Sequence, residues 1–556
     1  MEKIWMKNWP EYLPEKLSFN HGPVPIHEYL KIHAEKNPEK PAIIFYGRVL
    51  TYGQLDTESD RFAAYLVLKG IKKGDRVGIF MLNCPQYAIA HFGIQKTGAI
   101  VCPCSPLFRE MELEYELNDA GIEILVCLDL FMPVVQGVRK KTGLRQVVVT
   151  NLNDYLPETP ELPLIEHMKI RKSEIEGTDD FMDIVNMEHE IIPHIEIDMK
   201  NDIGLFQYTG GTTGLPKGCM LSFYSALFKT ASTVAITCMT QNTVCLVTMP
   251  VFHIAGMLAG LTSCVYAGAT QVLLSMFDVK TAVMAISQYK TDFWYSAVPM
   301  NVGIMADPES KKYDLSSLEL CLTSSFGIQL TKDIAGQWKE FTNGGLLVEG
   351  AYGLSETHTL DTFMPRQKIK YDTCGIPGPE AEFKIMNLDG SGMEMPPGEE
   401  GEIVLKNPGV FKGYWNKPEE TAKTLVDGWV YTGDIGRFDE DGYLCLLGRV
   451  KEMIKVSGFS VYPEEVELLL NSHPEVTQSA VIGVPDRTKG EVVKAYIIRV
   501  KGSDLDEQGL IKWAKQNMSS YKCPKYVEFR ESLPTLATGK LLRRQLKEEE
   551  LKANES

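Results

Sequence analysis

At 556 residues, with 44% hydrophobic and 23% charged content, the chain is long enough for several buried cores and has a globular rather than disordered or fibrous composition. A formal net charge of −16 excludes a general nucleic-acid binder and argues against tight attachment to anionic membranes, since both need a basic face. No run of about eighteen apolar residues is available to span a bilayer.

The start, Met1-Glu-Lys-Ile-Trp-Met-Lys-Asn-Trp-Pro10, lacks the apolar centre of a secretion signal. The twelve cysteines are scattered, and Cys102-Pro-Cys104 has no partner pair at zinc spacing. They read as reduced thiols of a cytoplasmic protein.

Residues 41–130 alternate apolar runs with helical spacing. Strands are expected over Pro41–Tyr46, Arg76–Met81 and Ala99–Cys102, and helices over Tyr52–Lys69 and Gln86–Thr97. This βαβ rhythm implies a largely parallel sheet covered by helices. Residues 151–200 are polar, dotted with proline, and read as a peripheral excursion. The βα pattern resumes from Val244 to about Gly350. Short strands at Glu382–Ile385 and Glu402–Leu405, around the turn Pro396-Pro-Gly-Glu-Glu-Gly401, then predict a small antiparallel or barrel-like subdomain.

The last hundred residues read as a separate α+β unit. Hairpin alternation covers Val450–Val461, and Pro463 opens a helix with Glu464 and Glu465 in its first turn, where acids are favoured. Strands near Ala480–Val484, Val493–Val500 and Tyr526–Arg530 and a helix over Asp506–Asn517 complete it. The expected fold is α/β. A large N-terminal domain of βα-layered parallel sheets with the barrel-like subdomain (1–448) precedes a smaller α+β C-terminal domain (452–556).

The segment Tyr208-Thr-Gly-Gly-Thr-Thr-Gly-Leu-Pro-Lys-Gly218 holds four glycines, three threonines and one lysine. Glycines allow close backbone approach to a ligand, hydroxyl and amide groups suit phosphate oxygens, and Lys217 adds positive charge. The reading is a polyphosphate-holding loop; a polar surface turn is the structural alternative. It is not a Walker A loop, because Pro216 precedes Lys217 and Gly218 follows it, so the Mg²⁺-binding hydroxyl after the lysine is missing.

Four further motifs carry chemistry. In Gly350-Ala-Tyr-Gly-Leu-Ser-Glu-Thr357, Tyr352 offers a ring to a nucleobase, Ser355 a hydroxyl to phosphate and Glu356 a carboxylate to Mg²⁺. A helix start at Ser355 explains it about as well. In Tyr431-Thr-Gly-Asp-Ile-Gly-Arg-Phe-Asp-Glu-Asp-Gly-Tyr443, a hairpin turn at Asp441-Gly442 competes with a sugar-binding role for Asp434. The basic residues of Gly448-Arg-Val-Lys-Glu-Met-Ile-Lys-Val-Ser-Gly-Phe-Ser-Val-Tyr-Pro463 suit a solvated hairpin. Lys540 in Pro534-Thr-Leu-Ala-Thr-Gly-Lys-Leu-Leu-Arg-Arg544 reads by default as a surface lysine.

Together these motifs resemble, in order and spacing, those of the adenylate-forming enzymes, and within them the acyl-CoA synthetases; the likeness spans about residues 25–545. The resemblance implies that Thr209, Gly210, Gly211, Thr212, Thr213, Gly214, Lys217, Tyr352, Ser355, Asp434 and Arg449 bind ATP, with Asp434 and Arg449 on the ribose. Glu356 is then the Mg²⁺ ligand. Lys540 bridges the carboxylate and the α-phosphate. Lys451, within 449–451, is the hinge of a mobile C-terminal domain, and Lys455 and Gly458 face the second half-reaction, with Gly458 towards coenzyme A. Ser355 stands where threonine is usual in the family.

Met249-Pro-Val-Phe-His-Ile-Ala-Gly-Met257 resembles the family segment bordering the acyl site, making His253 a pocket wall candidate beside the reading of a satisfied core histidine. Gly256 and Gly260 are expected to leave room for an acyl tail. The family's Ser-Gly-Gly/Ala-Ala-Pro-Leu turn is replaced by Cys321-Leu-Thr-Ser-Ser-Phe-Gly-Ile-Gln-Leu330, so Phe326 is placed in the acyl pocket and straight-chain specificity is in question.

The expectation is an ATP-dependent, AMP-forming carboxylic acid–CoA ligase acting on medium- or long-chain fatty acids, with ATP, Mg²⁺ and coenzyme A as cofactors. An aromatic or alicyclic acid–CoA ligase is the alternative. A peptide-synthetase adenylation domain, a luciferase and a non-catalytic ATP- or acyl-binding regulator are the more distant ones. No nucleic-acid partner is expected; peripheral membrane contact and a homodimer are compatible with the chain.

Overall fold

Apolar runs flanked by amphipathic helices build two seven-stranded sheets in the first 350 residues. The computed structural model describes residues 3–188, 194–209, 215–325, 328–350, 352–456, 459–486, 490–535 and 541–555. One sheet runs Asp179–Asp180, Gln146–Thr150, Ile124–Leu128, Arg76–Phe80, Ile100–Pro103, Ile203–Thr209, Lys217–Ser222. The other runs Leu346–Glu349, Leu320–Ser324, Phe293–Ala297, Val244–Val247, Thr270–Leu273, Pro41–Phe45, Arg48–Thr51. Each is parallel except for an antiparallel hairpin at its last edge. All five residues of Ile124–Leu128 are buried, as expected of a parallel strand covered on both faces.

The expected elements of 41–130 are present, but they do not form one sheet. Pro41–Phe45 pairs with Thr270–Leu273, and Arg76–Phe80 with Ile100–Pro103. Hydrophobic periodicity marks an element and its buried face, not its partner strand. Tyr52–Leu68 starts at a capping box: Gln54 N donates to Thr51 Oγ1 (3.2 Å) and Thr51 N to Gln54 Oε1 (2.9 Å). Every residue from Pro85 to Gln95 of the helix Pro85–Lys96 is buried, which is why it shows no polar stripe.

The 151–200 excursion is more integrated than expected. Asp179–Asp180 adds an edge strand beside Gln146–Thr150, and Phe181–Asn186 is a short helix with Phe181, Ile184 and Val185 buried. Phe181 packs its ring 5.4 Å from that of Phe62. Three apolar residues in a short helix are too few to stand out in a polar segment.

The predicted subdomain is a five-stranded antiparallel sheet of Glu382–Met386, Gly401–Lys406, Leu425–Val426, Trp429–Phe438 and Leu444–Arg449. The C-terminal unit has its own five-stranded sheet and core, with Ile454, Val466, Leu470, Val481, Val493 and Leu510 buried. Glu507–Asn517 is capped by Asp506, whose Oδ1 accepts Gly509 N at 2.7 Å. A final helix, Arg543–Glu555, was not expected; most of its residues are charged, and it buries Leu546. All twelve cysteines are free thiols, eight of them buried. No helix among the described residues is long and apolar enough to cross a membrane.

Candidate active site

The two ends of the glycine- and threonine-rich segment lie on a pair of neighbouring strands. Ile203–Thr209 and Lys217–Ser222 pair antiparallel, with Thr209 opposite Lys217. Gly210, Gly211, Thr212, Thr213 and Gly214 lie outside the described residues. The base of the hairpin is held from the helix Glu110–Ala120 and from a later loop. Tyr208 Oη donates to Asp119 Oδ2 (2.8 Å), Tyr115 Oη to Pro216 O (2.9 Å), Trp415 Nε1 to Asp119 O (2.9 Å) and Trp415 N to Gly218 O (2.8 Å). A Cβ on Gly218 would lie 3.1 Å from the Tyr208 ring, so a larger residue there would have to push the ring aside by a few tenths of an ångström. Trp415 also packs on Phe206, ring centroids 5.2 Å apart.

Glu356 lies in the single turn Ser355–Thr357, with Ser355 as its first residue and Leu354 before it. Its carboxylate accepts Tyr414 Oη at 2.5 Å, and its carbonyl accepts Phe411 N at 2.8 Å. The Lys217 ammonium lies 4.3 Å from the Tyr414 ring centroid and 3.5 Å from Glu420. Tyr414 therefore ties the hairpin lysine and Glu356 into one site.

Asp434 is 4% exposed and sits between two partners. Tyr352 Oη donates to Oδ2 (2.8 Å) and Arg449 Nε to Oδ1 (2.9 Å). Gly433 takes φ +70°, and the Asp434 amide donates to Thr432 Oγ1 at 3.0 Å, which fixes the carboxylate locally. Burial holds the Tyr352 phenol well above its usual pKa, so it stays a donor. The ring itself is buried (6% exposed), so in this structure Tyr352 presents its hydroxyl rather than an open face.

Behind the hairpin, Glu116 is buried three residues before Asp119, and neither carboxyl oxygen has a hydrogen-bond partner. Loss of water pushes its pKa from 4.5 up to about 8; the Cys104 thiol beside it only partly opposes this. Between those values the folded protein holds a proton that the unfolded chain releases, so stability falls as pH rises from about 4.5 to about 8. Glu116→Gln is expected to flatten that part of the melting temperature–pH curve and to raise the melting temperature near pH 8. Thermal scans across pH check it; an unchanged slope would exclude Glu116 as the source.

His253 is half-buried and caps the helical turn Ile254–Gly256, its Nδ1 accepting Ala255 N at 3.4 Å. A π-helical stretch, Met257–Thr262, follows. The expectation that Gly256 and Gly260 leave room for a tail is not met. A Cβ on Gly256 would lie 2.1 Å from Pro250 O, and one on Gly260 2.6 Å from Val247 Cγ1. Gly256 brings the helix onto the Met249–Pro250 segment, and Gly260 brings it onto the strand Val244–Val247.

Lys451 and Lys455 are exposed, Lys455 on the strand Ile454–Val456 with its amide donating to Glu491 (2.9 Å). Phe326, Gly458 and Lys540 lie outside the described residues. The chain either side of 536–540 is closed by an antiparallel bridge between Thr535 and Leu541. Just beyond, Arg543 is buried against Glu452 (2.6 Å), Glu464 (2.7 Å) and Glu467 (2.6 Å). Sequence reasoning missed Asp119, Tyr414, Trp415 and Arg543, whose partners are distant in the chain. It also passed over Lys229, although a single lysine within the apolar helix Phe223–Thr237 is itself a signal of a buried pair.

A model of the AMP-binding enzyme family matches residues 30–415, and one of its C-terminal domain matches 465–540. The chain belongs to the AMP-binding enzyme family. It is thus a member of the adenylate-forming acyl-CoA synthetase superfamily. This AMP-binding enzyme is 36% identical over 563 residues to a long-chain-fatty-acid–CoA ligase of Bacillus subtilis (strain 168), covering 99% of this chain and 98% of that one. It is 32% identical to a feruloyl-CoA synthase of an Amycolatopsis species (92% and 96% covered). Among solved structures it is similar to an anthranilate CoA ligase in complex with anthranoyl-AMP, with a TM-score of 0.85, 26% identity, and 96% and 98% of the two chains covered. The expected architecture, a large α/β N-terminal domain and a smaller C-terminal one, is that of this family.

Mg²⁺ that travels on ATP takes most of its oxygens from phosphate and water and needs one or two carboxylates from protein. Glu356, an oxygen donor linked through Tyr414 to the hairpin lysine, fits that requirement. Among the described residues no cluster of three or more His, Cys, Asp or Glu is arranged to cage a metal.

Proposed function

We propose that this protein is an ATP-dependent, AMP-forming carboxylic acid–CoA ligase whose substrates are medium- or long-chain fatty acids. The observation that carries the reading is Tyr414, which joins the phosphate-loop lysine to Glu356. The near full-length similarity to a long-chain-fatty-acid–CoA ligase supports the substrate class.

In the proposed reaction a carboxylate oxygen attacks the α-phosphorus of ATP. The bond to the β-phosphate breaks, pyrophosphate leaves, and acyl-AMP forms. The thiol of CoA, as thiolate, then attacks the acyl carbonyl and AMP departs. Two anions must first meet, so the chain has to supply compensating charge and dipoles. Residues 209–214 and Lys217 hold the β- and γ-phosphates, and Ser355 donates to phosphate. Tyr352, Asp434 and Arg449 hold the nucleoside. Mg²⁺ on Glu356 would neutralise phosphate charge. Lys540 bridges carboxylate and α-phosphate. His253 and Phe326 border the acyl group.

The second half-reaction needs a different face. We place the hinge at Lys451, between a domain of residues 1–448 and one of 452–556, with rotation removing Lys540 and bringing Lys455 and Gly458 towards the thiol. The same reading places the protein in the cytoplasm, where reduced thiols persist.

A CoA-thioester assay with medium-chain, long-chain, aromatic and alicyclic acids tests the proposal. Turnover greatest with fatty acids is expected. Preference for aromatic acids would favour the second reading, which the similarity to a feruloyl-CoA synthase supports. Absence of ATP- and acid-dependent pyrophosphate release across the panel would leave a non-catalytic binder.

A further inference from the structure

Beneath the candidate site lies a buried ion pair. Lys229 is 2% exposed and Asp361 1% exposed, with the ammonium 2.6 Å from Oδ1. Lys229 also donates to Leu360 O at 3.2 Å. Asn407 Nδ2 donates to Asp361 Oδ1 at 2.8 Å, and the Thr357 hydroxyl donates to Oδ2. Burial pushes the lysine pKa down and the aspartate pKa up, and each charge is held by the other.

The pair clamps an unusual turn. His358, Thr359 and Leu360 take φ +57°, +56° and +53° in succession. Three adjacent non-glycine residues in the left-handed region each crowd Cβ against the backbone, and such a run persists only when its surroundings over-determine it. The turn is also pressed against the segment before it: a Cβ on Gly353 would lie 2.4 Å from Leu360 N. His358 is buried with neither ring nitrogen hydrogen-bonded, so the turn gains nothing there.

Both ends of this turn lead to the site. On one side are Ser355 and Glu356. On the other, the Asp361 amide donates to Tyr352 O at 2.8 Å, and Tyr352 N donates to Thr362 Oγ1 at 2.8 Å. A buried ion pair is weak evidence for stability, since well-packed apolar residues of similar volume often replace one without loss. What it supplies here is a fixed distance between the backbone bearing Glu356 and the backbone bearing Tyr352.

We propose that Lys229 and Asp361 are positioning residues, holding the strained 358–360 turn so that Glu356 and Tyr352 stand in register for one Mg·ATP. This rests on the ligase reading above. Neither residue is placed on substrate.

The test uses the full chain, with acid-dependent pyrophosphate release measured against Mg²⁺ concentration. Lys229→Met and Asp361→Leu singly leave a buried charge unpaired and are expected to lower the melting temperature. The double variant is expected to recover most of that loss. Its half-saturating Mg²⁺ concentration is nevertheless expected to stay raised, and kcat lowered, by roughly tenfold or more. A purely structural pair would lose both effects once the melting temperature recovers. Asn407→Ala removes one donor from Asp361 without stranding a charge or touching the turn that carries Glu356, and is expected to shift the Mg²⁺ requirement in the same direction. It decides the matter if the double variant does not fold. An active wild type with unaltered Mg²⁺ dependence in these variants overturns the positioning role alone. A wild type that releases no pyrophosphate with any acid overturns this proposal together with the ligase reading.

Discussion

Lys540→Ala is expected to lower acyl-AMP formation by about a hundred- to a thousandfold while leaving ATP affinity nearly unchanged. In the proposed reaction the carboxylate and the α-phosphate repel each other, and negative charge shifts towards the bridging oxygen as pyrophosphate departs. A single ammonium at that point acts chiefly in the transition state, so its loss falls on kcat rather than on binding. The chain next to Lys540 is firmly held, by the Thr535–Leu541 bridge and by Arg543 in its cage of Glu452, Glu464 and Glu467. Truncation at Lys540 should therefore leave fold and melting temperature intact. Single-turnover pyrophosphate release and calorimetric ATP titration check the split. Thioester formation from added acyl-AMP should survive, because that step is assigned to the opposite domain orientation. A variant that makes acyl-AMP at near the wild-type rate would remove Lys540 from the mechanism.

Asp434→Ala should act on ATP binding instead. A carboxylate accepting both ribose hydroxyls makes two charge-assisted hydrogen bonds, each worth about 1.5–3 kcal/mol. Their loss predicts a rise in the KM for ATP of roughly a hundredfold or more. The structure adds a second effect. Tyr352 Oη and Arg449 Nε both lose their carboxylate acceptor, and the buried phenol keeps only the Thr432 side chain beside it. A buried donor that loses its acceptor costs up to about 1–3 kcal/mol, so a lowered melting temperature should accompany the KM effect. Tyr352→Phe separates the two, because it removes that donor while leaving the carboxylate. Steady-state kinetics over ATP concentration with parallel thermal scans reads both quantities, and an unchanged KM in Asp434→Ala would take the ribose away from Asp434.

Element type was largely legible in the sequence, because burial on both faces of a parallel strand leaves continuous apolar runs such as Ile124–Leu128. Partner choice was not: Pro41–Phe45 reads like its neighbours in the chain yet pairs with Thr270–Leu273. The family was legible where its motifs are short and continuous in the chain. Tyr414 carries no such mark; its contact with Glu356 crosses 58 positions and exists only because the fold lays one loop against another. The glycines at 256 and 260 show the same limit. Their small size suggested space, whereas the structure spends it on close packing against Pro250 and Val247.

The placement of Trp415 has a practical consequence. Its indole bonds to the helix carrying Asp119, its amide bonds to the hairpin base, and the residue before it touches both Lys217 and Glu356. Trp294 and Trp338 are fully enclosed far along the chain. The base of the hairpin thus carries its own fluorophore, one of seven tryptophans, and the part of an emission change that Trp415→Phe removes would report the arrival of a polyanion there without an attached dye.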